Sequence, residues 1–226
     1  MSEKQQTNSS SSAVIAFGVI GIIILLGLGL ALFVSQNGDE VDDNNTSISQ
    51  EIEDDAVDGI REISPPQSLQ NFTFTASNGA DISLSEFAGQ YILLYFGYTN
   101  CPDFCPSAML DYSNVIESLG EDANQVTFMM ISVDPERDTP ELLNTYVSRY
   151  DESIVALSGN HEELERIAQD YNLTYQAQPE TSAGFYTVDH TTSKFLIDPE
   201  GNLIQIFSWG LSPITITQTL RAHLDS

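Results

Sequence analysis

Two cysteines that lie four residues apart are the residues of this chain best suited to chemistry. Cys101 and Cys105 are the only cysteines among 226 residues, and they closely follow the apolar run 91–96. We expect that run to be a buried strand and a helix to start at about Pro106. The helix dipole and the free amides of a first turn lower the pKa of a nearby thiol, so both cysteines are candidate nucleophiles or metal ligands.

The spacing of the two cysteines leaves a disulfide and a metal site both open. Residues four apart on a regular helix hold their Cβ atoms about 5 to 6 Å apart, whereas a relaxed disulfide requires about 3.5 to 4.5 Å. A redox-active disulfide between Cys101 and Cys105 therefore requires the first cysteine to leave the helix, which Pro102 favours. Two sulfurs held slightly further apart suit a bridging soft cation, Cu(I) or Zn(II).

Two sulfurs leave a metal short of ligands, and the chain offers three histidines, His161, His190 and His223. His161 is in a charged helix start and His223 is near the chain end, so we expect both on the surface. His190 precedes a predicted buried strand, whereas ligand crevices in parallel sheets form beyond the carboxyl ends of strands. The pattern alone therefore leaves open whether His190 meets the cysteines or is only hydrogen-bonded to Asp189 or a backbone carbonyl.

Several other polar or sulfur-containing residues have an ordinary structural interpretation. We expect the two methionines of an apolar strand to pack in the core, the methionine after the second cysteine at most to line the site, and three loop aspartates to serve turns or caps. Two aromatic residues fit core or rim packing as well as an interface. The strand methionines are Met129 and Met130, and the methionine after the second cysteine is Met109. The loop aspartates are Asp103, Asp134 and Asp138, and the aromatic residues are Tyr98 and Trp209.

Alternating apolar strands and capped helices predict an α/β domain over residues 67–226. A small amino-terminal hairpin is expected around Asn78-Gly79, and a carboxy-terminal hairpin is expected to form the antiparallel edge of a partly parallel sheet with helices on both faces. The predicted strands are 91–96, 126–133, 154–157, 194–197 and 203–207. The predicted helices are about 106–119, 139–149, 160–171 and 212–223, the last three with N-caps at Thr139, Asn160 and Ser212.

The residues before the domain predict an anchor and a linker. Residues 13–34 carry no charge, and at about 1.5 Å per residue they form a helix long enough to cross a bilayer. We expect an uncleaved transmembrane helix after a short cytoplasmic segment, 1–12, and before an acidic flexible linker, 35–66. The net charge of -26 excludes nucleic acid as a partner, because no basic patch is available for phosphate.

Three separated motifs resemble the Sco/SenC family. These motifs are FGYTNCPDFCP, ISVDPERDTP and VDHTTSKFLIDPEG, in that order and after a single predicted anchor. The resemblance covers essentially all of residues 67–226 and implies a thioredoxin-like sandwich. It also implies that Cys101 and Cys105 are copper thiolates and that His190 is the histidine ligand for Cu(I) or Cu(II).

The resemblance implies a copper metallochaperone rather than an enzyme. Its acceptor would be the CuA site in subunit II of cytochrome c oxidase, and another copper chaperone could be its donor. The domain would then lie outside the plasma membrane on a single-pass anchor. Two alternatives remain: an extracytoplasmic thiol-disulfide oxidoreductase that keeps acceptor cysteines reduced, and a copper or redox sensor. Three residues between the cysteines, rather than the two of thioredoxin-like oxidoreductases, favour the chaperone over the oxidoreductase.

Overall fold

The computed structural model describes residues 56, 57, 59–76 and 78–226. The predicted cytoplasmic segment 1–12, the predicted anchor 13–34 and most of the predicted linker 35–66 lie outside these residues. Among the helices of the described part, none combines the length and the apolar character needed to span a bilayer.

Within the described residues the chain forms eleven strands and four α-helices. The strands are β1 (Ala56–Val57), β2 (Ile60–Ser68), β3 (Thr73–Ala76), β4 (Asp81–Ser83), β5 (Tyr91–Gly97), β6 (Val126–Ser132), β7 (Val155–Ser158), β8 (Tyr175–Ala177), β9 (Val188–His190), β10 (Lys194–Ile197) and β11 (Asn202–Phe207). The α-helices are α1 (Phe104–Leu119), α2 (Pro140–Val147), α3 (His161–Ala168) and α4 (Pro213–Leu224). Each strand and helix predicted between residues 91 and 226 has an observed counterpart.

A nine-stranded mixed sheet forms the centre of the domain, in the order β1-β2-β11-β10-β5-β6-β7-β3-β4. The pairs β5–β6 and β6–β7 are parallel, and the remaining pairs are antiparallel. Side chains on both faces of β5 and β6 are buried, as their unbroken apolar sequences predict. The mixed α/β class and the partly parallel sheet are confirmed, and so is the hairpin of β3 and β4 around Asn78-Gly79.

The carboxy-terminal hairpin does not form the sheet edge, so that prediction is wrong. Strand β2 pairs with β11 and places the hairpin inside the sheet. β2 begins at Ile60, within the segment that composition assigned to the linker. Its residues are mostly exposed and include Pro65 and Pro66, so it lacks the apolar alternation of a half-buried strand. The register shifts between Leu203 and Gln205, opposite the prolines, and such an irregularity tolerates residues that cannot donate to the ladder.

Side-chain caps fix the starts of three helices at the predicted residues. The side chains of Thr139, Asn160 and Ser212 each accept a hydrogen bond from the backbone amide three residues later. The Glu163 carboxylate does not complete a capping box with Asn160. It accepts from the Thr73 amide at 2.9 Å instead and thereby ties α3 to β3.

Candidate metal centre

The two cysteines lie at the junction of β5 and α1. Cys101 is in the loop that follows β5, and Cys105 is the second residue of α1, which begins two residues before the predicted start. The Cys105 amide, one of the free donors of the first turn, points to the Cys101 Sγ at 3.4 Å. Both cysteines are free thiols and both are buried. A redox-active disulfide between them stays a prediction.

His190 is brought to the cysteines by a small second sheet, in which β9 pairs with β8. The His190 Nε2 lies 3.4 Å from the Cys105 Sγ, and the donor atoms of all three residues lie within 4.8 Å of one another. The His190 Nδ1 is 2.9 Å from the Thr191 carbonyl oxygen. Donation from Nδ1–H to that oxygen leaves the Nε2 lone pair free to face the sulfurs, as in many metal sites.

The separation of the donor atoms fits one shared soft ion. Sulfur and nitrogen ligands at about 2.3 and 2.0 Å from a common metal lie about 3.5 Å apart. The 3.4 Å between Cys105 Sγ and His190 Nε2 is close to that separation. Two thiols and one imidazole are the donor set of a soft or borderline cation. Within the described residues, Cys101, Cys105 and His190 form the one cluster of at least three potential ligands.

The two thiols differ in acidity because one stabilises the other. The Cys105 thiol, His190 and nearby amides lower the pKa of Cys101 to about 3, against the opposing effect of burial. Burial, followed by the neighbouring Cys101, raises the pKa of Cys105. The metal-free pair therefore holds one thiolate and one thiol at neutral pH. A bound cation has to displace the proton of Cys105.

Aromatic residues surround the three candidate ligands. The rings of Tyr95 and Tyr98 both meet the His190 ring edge-on, with centroids 5.9 and 5.7 Å away. The Tyr98 hydroxyl accepts from the Val188 amide at 3.1 Å and so fixes the start of β9. Burial raises the pKa of Tyr98 to about 12, so this hydroxyl keeps its proton. The ligands therefore sit in packing that limits how far each can move.

An arginine and a tyrosine that the sequence did not single out hold the chain leading into β9. Arg137 Nη1 donates to the Tyr186 carbonyl at 3.0 Å, and its guanidinium lies 3.5 Å from the centroid of the Tyr186 ring. Asp134 accepts from the Arg137 guanidinium and from the Tyr186 hydroxyl. The signal was present in the motif ISVDPERDTP, which contains both Asp134 and Arg137.

Of the aspartates predicted to serve turns or caps, one is buried and hydrogen-bonded and another is exposed. Asp138 is buried and accepts from the Thr99 amide, the Thr99 hydroxyl and the Ser132 hydroxyl. These bonds tie the loop that carries Cys101 to the end of β6. Burial raises the pKa of Asp138 despite them. Asp103, by contrast, is exposed and lines the cleft above the ligands.

The remaining candidates lie outside the cluster of three potential ligands. His161 is exposed as predicted and stacks on Tyr175, whereas His223 is half-buried and within hydrogen-bonding distance of Gln205. The three methionines and Tyr98 are buried in the core. Trp209 is 39% exposed, and its ring packs edge-on against the ring of Phe104. The buried residues of this group are Met109, Met129, Met130 and Tyr98.

The fold and the site define a class of protein: a mixed α/β domain in which two buried cysteines and one histidine meet at a cleft. Comparison with known proteins identifies the family. The SCO1/SenC family matches residues 61–225, so this chain belongs to that family. The mitochondrial SCO1 homolog of Mus musculus is 33% identical over 168 residues, which are 74% of this chain and 59% of the mouse protein. The match thus spans less than two thirds of that relative.

Solved structures of copper-bound relatives share the fold. The Bradyrhizobium japonicum ScoI with copper bound is 34% identical, with a TM-score of 0.64 over 69% of this chain and 98% of that one. The Arabidopsis thaliana ScoI with copper bound is 28% identical, with a TM-score of 0.64 over 70% of this chain and 99% of that one. The predicted thioredoxin-like fold is therefore confirmed for the described domain.

Proposed function

We propose that this chain is a copper metallochaperone that binds copper through Cys101, Cys105 and His190. The observation that carries the proposal is the meeting of two sulfurs and one imidazole nitrogen within 4.8 Å. Copper-bound structures of relatives with the same fold support copper as the cargo. The family resemblance supports the CuA site in subunit II of cytochrome c oxidase as the acceptor and another copper chaperone as donor.

The exposure of the three ligands orders the steps of transfer. Cys105 is fully buried, Cys101 is 7% exposed, and His190 lies half-buried at the cleft. An incoming acceptor ligand therefore replaces His190 or Cys101 first, and Cys105 releases the copper last. The proton that Cys105 loses on binding returns to its sulfur when copper leaves.

The anchor belongs to the same proposal. A transmembrane helix at 13–34 and an acidic linker that ends ahead of β1, residues 35–55 of the predicted 35–66, would hold the copper domain outside the plasma membrane, beside a membrane-bound oxidase. A coil of about 21 residues has an end-to-end distance of about 25 Å, and repulsion between its carboxylates lengthens it. The domain could then reach an acceptor near the membrane surface while staying tethered.

A second candidate function is reduction of disulfides on the acceptor. The observation in its favour is the contact between the Cys105 amide and the Cys101 Sγ, which together with the Cys105 thiol and His190 lowers the pKa of Cys101 and favours a nucleophilic thiolate. Cys105, whose amide lies 3.4 Å from the Cys101 Sγ, would be the resolving thiol. In that reaction the acceptor disulfide gains two electrons, and Cys101 and Cys105 lose them as they form their own disulfide.

The substitution His190→Ala separates the two functions. We expect it to weaken Cu(I) binding by the full chain at least about tenfold, because one of three ligands is lost, while thiol-disulfide exchange by the cysteines persists. Oxidase activity in cells that carry this variant should fall as well, because less copper is delivered. His161→Ala, at an exposed histidine away from the ligands, is the matched control and should change neither. Normal oxidase activity in cells that carry His190→Ala would contradict copper delivery and favour the reductant.

A further inference from the structure

Tyr95 contacts two of the three candidate ligands from inside the core. Its hydroxyl lies 3.7 Å from the Cys105 Sγ, with the geometry of a donor to sulfur, and its ring meets the His190 ring edge-on. The side chain is completely buried. It therefore approaches the site from the side opposite to solvent and is shielded from competing water.

The local sequence makes this contact a fixed one. Tyr95 and Gly97 alternate with Phe96 along β5 and so point to the same face. A Cβ atom at Gly97 would lie 2.7 Å from the Tyr95 ring and 3.1 Å from the Cys105 Sγ. Glycine at 97 thus leaves the space in which the tyrosine ring and the sulfur meet.

A hydrogen bond to a ligand sulfur acts differently on the two oxidation states of copper. It draws electron density from the thiolate, and the site carries one more negative charge with Cu(I) than with Cu(II). Hydrogen bonds around a copper-bound cysteine sulfur are known to tune the reduction potential. Donation from Tyr95 therefore stabilises the Cu(I) form more than the Cu(II) form.

We propose that Tyr95 is a positioning residue that biases the metal centre toward Cu(I) by donating a hydrogen bond to the Cys105 sulfur. This inference rests on the proposed copper function and deepens it, because it assigns the oxidation state in which the cargo is held.

The test compares Tyr95→Phe with wild type as full chains in detergent. Affinities for Cu(I) and Cu(II) are measured separately by competition with chelators. We expect the ratio of Cu(I) to Cu(II) affinity to fall about tenfold in Tyr95→Phe, which corresponds to a reduction potential about 59 mV lower for one electron. The sulfur-to-Cu(II) charge-transfer band should move to lower energy, because the sulfur becomes a better electron donor.

The matched control is Tyr112→Phe. Tyr112 is also fully buried, but its hydroxyl donates to the Leu93 carbonyl at 2.8 Å. The control substitution therefore removes a buried tyrosine hydroxyl without changing the contact with the Cys105 sulfur. The affinity ratio and the band should stay at the wild-type values. A general loosening of the core would instead move both variants alike and would overturn the inference.

The outcomes separate this inference from the proposed function. If wild type binds one copper and Tyr95→Phe keeps both the wild-type ratio and the wild-type band, the role of Tyr95 is wrong and the chaperone proposal stands. If wild type binds no copper, both fail. Should Tyr95→Phe not fold, 3-fluorotyrosine at position 95 provides a stronger donor and must raise the ratio; an unchanged ratio overturns the inference.

Discussion

Cys101 and Cys105 are neighbours in space, but they hold their protons with very different strength. Cys101 gains a hydrogen bond from the Cys105 thiol and contacts with amides and His190, whereas Cys105 lies at the bottom of the site without exposure to water. The first deprotonation of the pair is therefore easy and the second is costly. A soft cation supplies the interaction that makes the second one favourable.

We expect copper affinity to depend on pH through Cys105. Its pKa is raised by burial, so the metal-free site keeps this proton across the neutral range, and each copper bound releases it. The dissociation constant for Cu(I) should fall about tenfold per pH unit between about pH 6 and 8. Competition with a chelator at several pH values, corrected for the chelator's own protonation, measures the slope. A dissociation constant that does not change with pH would contradict the assignment.

At the scale of elements, the hairpin of β8 and β9 decides whether a metal site exists. It carries His190 to a sulfur that is 85 residues earlier in the chain. No strand is predicted between residues 171 and 194, because strands as short as Tyr175–Ala177 and Val188–His190 show no clear apolar alternation. Their pairing depends on tertiary contacts with Arg137 and Tyr98, which lie elsewhere in the chain.

Local sequence predicts the strand-to-helix junction that carries the cysteines, but it does not predict the third ligand. The run 91–96 is apolar enough to specify a buried strand, and a helix start close to the two cysteines follows from local sequence. The approach of His190 to Cys105 is a long-range contact that no local pattern encodes, and only the family resemblance indicated it. Strand β2 was missed for the related reason that a mostly exposed strand with prolines shows no pattern of burial.

Arg137→Met should loosen this hairpin. The change removes the hydrogen bond to the Tyr186 carbonyl and leaves the Asp134 carboxylate, which is 3% exposed, without its cation. Because Arg137 itself is 23% exposed, we expect a loss of about 2 kcal/mol in the free energy of unfolding, below the full cost of breaking a buried pair. Copper affinity should fall as well, since His190 loses its support.

Urea unfolding and chelator competition on the full chain measure these two effects. The matched control is Arg149→Met, at an exposed arginine that follows α2. It should change both quantities by less than about 0.5 kcal/mol. An Arg137→Met variant with wild-type copper affinity would show that His190 is held in place without this contact.

At the scale of the whole molecule, buried tyrosines link stability to alkaline pH. Burial raises the pKa of Tyr95, Tyr112, Tyr146 and Tyr171 above the ordinary value of 10. The folded state therefore keeps these protons while the unfolded chain loses them. Their contribution is fully present below pH 10 and is lost progressively as the pH rises from 10 toward the higher folded values.

Tyr171→Phe isolates one of these groups. Within the described residues the buried Tyr171 hydroxyl has no hydrogen-bond partner, so its removal should raise the free energy of unfolding at pH 7, by about 1 kcal/mol. Above pH 10 the advantage of the variant over wild type should grow by about 1.4 kcal/mol per pH unit. Urea unfolding followed by the fluorescence of Trp209, the single tryptophan, measures both. Parallel pH profiles for the two proteins would contradict the assignment.

The most direct test of the proposed metal centre is X-ray absorption spectroscopy on the full chain, reduced and loaded with Cu(I). We predict one copper per chain with two sulfur ligands and one imidazole nitrogen, and loss of the nitrogen contribution in His190→Ala. A copper bound by sulfur alone, with a spectrum that His190→Ala leaves unchanged, would contradict the three-ligand site.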